Sequence, residues 1–400
     1  MIVKQYIKDF EKLGLGMFVH FGIYSLLGSG EWVKHMHKIP DAGYNGLKDS
    51  FDPAPGWAKE LVGIAKAAGC KYITLTSRHH DGFSLYDTKG LNDFDAPHAL
   101  CRRDLVREFV DACNEEGIIP FFYHTLLDWY NKDFDNDFKA YLDYLRKSVK
   151  LLCTNYGRIG GIWFDGMWSR PEGTDWEEDE LYSLIRKYQP QAMIINNTGL
   201  DALGKLGHIE LDSVTFERGR PFPINLGNSP KYIASEMCDA FCDHWGYAEY
   251  DLDYKSPADV IRSLADCRRY GANLLLNVGP MPDGSLRSLD KAYFETLGKW
   301  VSLFDEAIRS PRPSCIEVQG RERDFILKNG DKLYLFCFGL RIGGEKENVS
   351  FRPGAPVKSV KWMDTGSPIA FDEKDGEITL ELDPYVYGRD LVVRVAIITL

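Results

Sequence analysis

Eight short apolar runs, each closing on or leading into a polar residue, recur over roughly the first 310 residues and alternate with segments of helical periodicity. The runs span residues 16–20, 71–76, 118–123, 159–165, 192–197, 213–217, a weaker 232–236, and 272–278. Helical patterns fill 57–68, 103–116, 134–156, 177–188, 256–270 and 289–304. Strands that are apolar almost throughout are buried on both faces, the state of a parallel strand covered by helices. Eight of them predict a (β/α)8-like barrel over residues 1–310. The gaps before the sixth and seventh runs are short and rich in Gly, Pro and Asn, so crossover helices are expected to be truncated or missing there. An open, doubly wound sheet is the alternative. It requires a glycine-rich phosphate loop after the first strand, and His20-Phe21-Gly22-Ile23-Tyr24 is not one. Beyond Ser310-Pro311-Arg312-Pro313 helix signals cease. Residues 311–400 read as short strands (324–327, 333–338, 357–362, 378–382, 391–397) parted by turns such as Lys328-Asn329-Gly330-Asp331, which predicts a small all-β sandwich domain.

Composition narrows the function classes. With 44% hydrophobic and 27% charged residues the chain is globular, and a net charge of −11 speaks against nucleic acid as a partner. No stretch approaches the ~18 apolar residues of a membrane span. The opening Met1-Ile2-Val3-Lys4-Gln5-Tyr6 has no signal-peptide core. Nine scattered cysteines, an odd number, read as free thiols in a reducing compartment, so a cytoplasmic location is expected. Cys238, Cys242 and His244 match no closed zinc site, and neither a metal nor a cofactor is expected.

In a barrel, residues at the C-terminal strand ends converge on one mouth. That rule gathers His20, Glu31, Trp32, His79, His80, Tyr123, Trp163, Asp165, Glu217 and Glu236. Each alone has an ordinary structural role: a satisfied histidine, a core tryptophan, a capping glutamate. Together they exceed what capping requires, and no serine nucleophile elbow, P-loop or HExxH motif competes for the place. Paired carboxylates in an aromatic, histidine-lined pocket suit glycoside hydrolysis, one attacking the anomeric carbon and the other protonating the leaving oxygen. The aromatic content of 13% fits sugar stacking. Asp165, closing a strand before Gly166, is placed as nucleophile; the acid is Glu217 or Glu236, and spacing does not choose. A metal-dependent hydrolase using His79 and His80 is the rival. Its weakness is that adjacent strand residues point to opposite faces.

These residues resemble the α-L-fucosidases of glycoside hydrolase family 29. Gly16-Met17-Phe18-Val19-His20-Phe21-Gly22 is similar to the family's opening strand, Glu31-Trp32 to its Glu-Trp pair, and Arg78-His79-His80-Asp81-Gly82-Phe83 to its His-His motif. Tyr123, Trp163-Phe164-Asp165-Gly166, Asp243-His244-Trp245-Gly246-Tyr247 and Leu274-Leu275-Leu276-Asn277-Val278-Gly279-Pro280 follow in the family's order. The resemblance implies a retaining exo-α-L-fucosidase that acts without a cofactor on fucosylated oligosaccharides or glycoconjugates, with Asp165 as nucleophile. His20, Glu31, Trp32, His79, His80, Tyr123, Trp163 and Trp245 would bind the sugar. Glu217 matches the sixth-strand acid/base of many members and is favoured; Glu236, preceded by Ser235 where the family usually has Trp, is the runner-up. A second departure is Asn196-Asn197-Thr198, where members often carry an Asn-Asp-Arg run; Arg218 or Arg220 is the candidate replacement for that arginine. A catalytically weakened glycan-binding protein of the same fold is the alternative, and a homo-oligomer is left open.

Overall fold

A computed structural model describes residues 2–224 and 229–400. Eight parallel strands close into a barrel: β1 (Leu15–Val19), β2 (Tyr72–Arg78), β3 (Ile119–Thr125), β4 (Gly161–Asp165), β5 (Met193–Asn196), β6 (Ser213–Glu217), β7 (Ala234–Ala240) and β8 (Asn273–Val278). Pairing of β1 with β8, Leu15 opposite Leu274 through Val19 opposite Val278, shuts the ring. Side chains alternate about each strand. Phe18, Tyr72, Phe121, Tyr123, Trp163, Ile195, Cys238 and Leu275 pack inside the ring. Their neighbours Met17, Ile73, Phe122, Ile162, Phe164, Ile194, Met237 and Leu276 face the outer helices.

Those helices are, after the short α1 (Gln5–Glu11), α2 (Trp57–Ala67), α3 (Leu105–Glu116), α4 (Phe138–Asn155), α5 (Glu178–Tyr188), α6 (Pro257–Arg269) and α7 (Ser288–Arg309). Asp104 caps α3 by accepting from the Arg107 amide, and Ser256 with Asp259 forms a capping box on α6. Between β5 and β6 the crossover shrinks to the single turn Leu200–Ala202. Between β6 and β7 no helix forms among the described residues; 225–228, part of that expected gap, lie outside them, as does Met1 of the opening segment.

The seventh strand departs from expectation. It runs from Ala234 to Ala240 rather than over 232–236, so Glu236 lies in its lower half, opposite Asn273 at the start of β8. A carboxylate ordinarily ends an apolar strand, but here the strand passes through it and carries it inside the barrel.

The C-terminal residues form two antiparallel sheets. One has five strands in the order β13 (Ser359–Trp362), β16 (Val393–Thr399), β11 (Lys332–Phe338), β10 (Phe325–Asn329) and β9 (Arg312–Pro313). The other has three, β12 (Glu347–Phe351), β15 (Glu377–Leu382) and β14 (Phe371–Lys374). Leu333, Leu335 and Cys337 of β11 face the small sheet, while Tyr334, Phe336 and Phe338 join the barrel's core cluster. The Trp300 indole of α7 donates to the Val393 carbonyl at 2.8 Å, tying the sheet to the barrel wall. Strands β12 and β14 were not anticipated. They are the edges of the small sheet, and Phe371-Asp372-Glu373-Lys374 carries the charge that blunts an exposed edge and hides the strand signal. No helix among the described residues is long and apolar enough to cross a membrane.

The barrel floor leaves a steric test. A Cβ on Gly16 would stand 2.4 Å from the Tyr72 ring, whereas one on Gly46 would meet nothing within 4 Å. Gly16→Ala is expected to destabilise by about 1–3 kcal/mol through overpacking, read as a lowered Tm, and Gly46→Ala to leave Tm nearly unchanged; equal Tm values for the two would refute the packing account.

Candidate active site

The mouth of the barrel opens into a cavity of about 1010 Å³. Its walls include His20, Trp32, His79, His80, Tyr123, Trp163, Asp165, Glu217 and Trp245, nine of the eleven side chains singled out from the sequence. Asp165 ends β4 and Glu217 ends β6, and both are intermediate in exposure while the rest of their strands is buried. Alternation and strand ends thus bring them to one place, although 52 residues of sequence separate them.

A single amide joins the two carboxylates. Asn197 Nδ2, just past β5, donates to Asp165 Oδ1 at 3.2 Å and to Glu217 Oε2 at 2.8 Å. An amide nitrogen has two N–H bonds, one for each acceptor, so a single group holds both carboxylates close together. Asp165 is held further by Trp168 Nε1 on Oδ1 and the Tyr123 hydroxyl on Oδ2, each at 3.1 Å. Asp165 thus accepts from three side-chain donors spread over its two oxygens. Among the described residues Glu217 has the Asn197 donor alone. Burial, chiefly, pushes its pKa up; the Asn197 bond opposes that and the Asp165 charge adds to it. The two carboxyls therefore sit in unlike environments, Asp165 with three donors and Glu217 more dependent on burial.

The histidines are neutral, and their bonding fixes what they offer. Asn277 Nδ2 donates to the Trp245 carbonyl at 2.7 Å, which turns its Oδ1 to His20 Nδ1 at 2.6 Å. His20 therefore carries its proton on Nδ1 and leaves Nε2 as an acceptor. Burial pushes its pKa down to about 3. Thr125 spends its hydroxyl proton on the Leu127 carbonyl at 2.5 Å and so accepts from His80 Nδ1 at 2.7 Å. That leaves His80 Nε2 as an acceptor facing Asp165 Oδ2 at 3.6 Å, with the His80 pKa pushed down to about 4 by burial against the pull of Asp165. His80 Nε2 is thus free to accept from a hydroxyl entering the cavity beside Asp165. His79 is also held neutral by burial, stacks on Tyr123 at 5.4 Å, and its buried Nδ1 has no protein partner. Both rings of the His-His pair reach the cavity because they lie in the turn after β2, where strand alternation no longer applies; the objection that neighbours must point apart fails. Among the described residues no three or more His, Cys, Asp or Glu side chains cluster in a way that could hold a metal ion.

Two expected mouth residues lie elsewhere. Glu31 is buried, its Oε2 accepting from the Gly246 amide at 2.7 Å, so it holds the loop that carries Trp245. Glu236 sits at the barrel floor. Its carboxyl accepts from the Tyr72 hydroxyl on Oε2 and from Trp163 Nε1 on Oε1 at 3.0 Å, and burial pushes its pKa up to about 7 despite both bonds. Neither Arg218 nor Arg220 is bonded to Asp165. The Arg218 guanidinium donates to the Asp243 carbonyl at 2.5 Å and stacks 4.8 Å from the Trp245 ring, while Arg220 pairs with Asp266 at 3.6 Å. Sequence reasoning passed over Asn197, Trp168 and Asn277. The strand-end rule alone would have found Asn197 and Asn277; Trp168, in a turn three residues past Asp165, carries no such signal.

The sequence model of the alpha-L-fucosidase family matches residues 3–306. The chain belongs to the α-L-fucosidase family of glycoside hydrolases. Among solved structures, α-L-fucosidase isoenzyme 1 from Paenibacillus thiaminolyticus is similar over 99% of this chain and 98% of that one, with 30% identity and a TM-score of 0.87. The tissue α-L-fucosidase of Macaca fascicularis is 26% identical over 337 residues, covering 76% of this chain and 69% of that protein. The fold of a GH29 α-L-fucosidase from Bacteroides thetaiotaomicron, trapped as a covalent intermediate with 2-fluoro-fucosyl fluoride, matches with a TM-score of 0.84 at 23% identity over 99% of this chain and 96% of that one.

The floor carboxyl of this fucosidase-family barrel makes stability depend on pH. The folded protein holds the Glu236 proton to about pH 7, against 4.5 for an unperturbed glutamate. Its contribution is therefore complete below about pH 4.5 and lost as pH rises through 7. Glu236→Gln, neutral throughout, is expected to show a flatter Tm profile than the native chain between those values; parallel profiles would mean the group titrates normally.

Proposed function

We propose that this protein is a retaining exo-α-L-fucosidase that removes terminal α-L-fucose from fucosylated oligosaccharides or glycoconjugates by double displacement. The observation that carries the reading is the Asn197 bridge, which ties Asp165 and Glu217 to one nitrogen and so keeps them in the close range that a retaining pair, at ~5–5.5 Å, requires. Asp165 attacks the anomeric carbon as Glu217 gives its proton to the departing oxygen, forming a glycosyl ester and a free alcohol. Glu217, now a carboxylate, takes a proton from water as that water displaces Asp165 at the same carbon. Two inversions restore the α configuration. The covalent intermediate trapped in the Bacteroides thetaiotaomicron relative supports the same sequence of steps here.

The lining supports fucose in the inner pocket. Neutral His20 and His80 each present an acceptor nitrogen, and Phe18, Trp163 and Trp245 offer apolar faces for the sugar's ring and methyl group. Burial of Phe18, His20, Tyr123 and Trp163 closes the inner end, which suits a terminal residue rather than an internal one. Glu31 contributes by fixing the Trp245 loop. Glu236 is set aside as acid/base because Tyr72 and Trp163 occupy both its oxygens below the cavity.

Three outcomes test this. In NMR of the first turnovers, the released sugar is expected as α-L-fucose; a β first product would overturn retention. Asp165→Asn should cut turnover of an aryl α-L-fucoside by on the order of 10⁴-fold with the circular dichroism unchanged, and near-native activity would remove Asp165 from its role. Because Glu217 must be protonated to act as acid and its pKa is raised, kcat/KM should fall as pH rises through that pKa. Glu217→Ala should lose this alkaline limb and slow substrates with poor leaving groups by about 10²–10⁴-fold, sparing those with good ones. The same pattern in Glu236→Gln instead would transfer the assignment.

A further inference from the structure

The cavity is larger than one deoxyhexose fills. From Asp165 it continues outward between the β4 loop, with Trp168, Glu172, Trp176 and Glu178, and the β5 loop, with Thr198 and Asp201. Trp168 stands at the junction. Gly166, at φ +102° and with room for no Cβ beside the Leu127 amide at 2.8 Å, turns the chain so that the Trp168 indole folds back and donates to Asp165 Oδ1 at 3.1 Å. One side of the ring stacks on Trp32, centroids 5.9 Å apart at 23°. The residue is still 45% exposed, against 2% for Trp163. An indole pinned at one edge by the proposed nucleophile, backed by a second ring and open to the cavity is a rigid apolar platform. The walls beyond it carry carboxylates. Arg170, the one Arg or Lys in that lining among the described residues, lays its guanidinium over the Phe138 ring at 3.9 Å and the Phe134 ring at 4.6 Å, and the carboxylates of Glu172, Glu178 and Asp201 outnumber it.

We propose that Trp168 is the stacking platform for the leaving sugar, and that this subsite takes an uncharged pyranose and disfavours an anionic one. The assignment rests on the fucosidase reading above and is separable from it. Trp168→Phe keeps an aromatic face and loses the N–H to Asp165; Trp168→Leu loses both. α-L-Fucosyl fluoride has no leaving sugar, so the two variants should fall equally on it. On fucosyl-N-acetylglucosamine the Leu variant should fall a further 3- to 10-fold or so in kcat/KM, mainly through KM, with the Phe variant partly rescued. Native enzyme should cleave fucosyl-glucuronic acid about threefold or more less efficiently than the neutral disaccharide, with the gap narrowing as salt is raised. Identical Phe and Leu losses on the disaccharide would overturn the platform, and equal efficiency on the uronate would overturn the uncharged occupant. Failure of the native protein to hydrolyse the fluoride would instead remove the fucosidase reading.

Discussion

Closure of eight strands into a ring, with β1 hydrogen-bonded to β8, forces every second side chain into a space too small for water and too crowded for chance. At the bottom, Gly16 yields room to the Tyr72 ring, and Tyr72 and Trp163 together satisfy Glu236. One layer up, Tyr123 and Trp163 stack at 5.7 Å and 21°. The Tyr123 hydroxyl then reaches Asp165 at the rim. The proposed nucleophile is therefore positioned from below by a column of rings whose base is a buried carboxyl. A change at the floor can be felt at the mouth without touching it.

The same closure explains why two acids on one rim are tolerated. Asp165 and Glu217 would repel if both were charged in a partly buried cavity. The Asn197 amide answers each with one N–H, but Asp165 has two further donors and Glu217 has none. Unequal donor count does the work that an arginine after strand five would do by charge. Arg218 and Arg220 are engaged elsewhere, so hydrogen bonds hold the carboxylates at this rim, and burial raises the Glu217 pKa. The neutral histidines follow the same logic, since each adds an acceptor for a hydroxyl without adding charge.

The sequence exposes features that depend on one strand at a time. The existence of all eight barrel strands, the bounds of most of them, the truncated crossover before β6 and the placing of His20, Tyr123, Asp165 and Glu217 at the mouth follow from apolar runs and where they stop; the end of β7 does not. Features that depend on two elements together stay hidden. Glu236 looks like a strand end because a carboxylate breaks an apolar run; only its partners Tyr72, 164 residues away, and Trp163 make it a core group. Glu31 looks like a mouth residue because it precedes Trp32, yet its partner is the Gly246 amide. The edge strands β12 and β14 are masked by the charges that protect them.

Trp168 shows where this limit bears on specificity. Several inner-pocket residues, Tyr123, Trp163 and Asp165 among them, sit on strands, where geometry is set by the barrel. The leaving group meets loops, and a loop's contribution depends on how it folds back. Here a positive φ at Gly166 and one N–H bond decide that an indole lies against the carboxylate instead of in solvent. Coupling the platform to Asp165 Oδ1 also links leaving-sugar recognition to the acceptor that develops or loses charge during the reaction. In the proposed reaction, esterification of Asp165 would remove its negative charge and so weaken the charge-assisted bond to the Trp168 N–H.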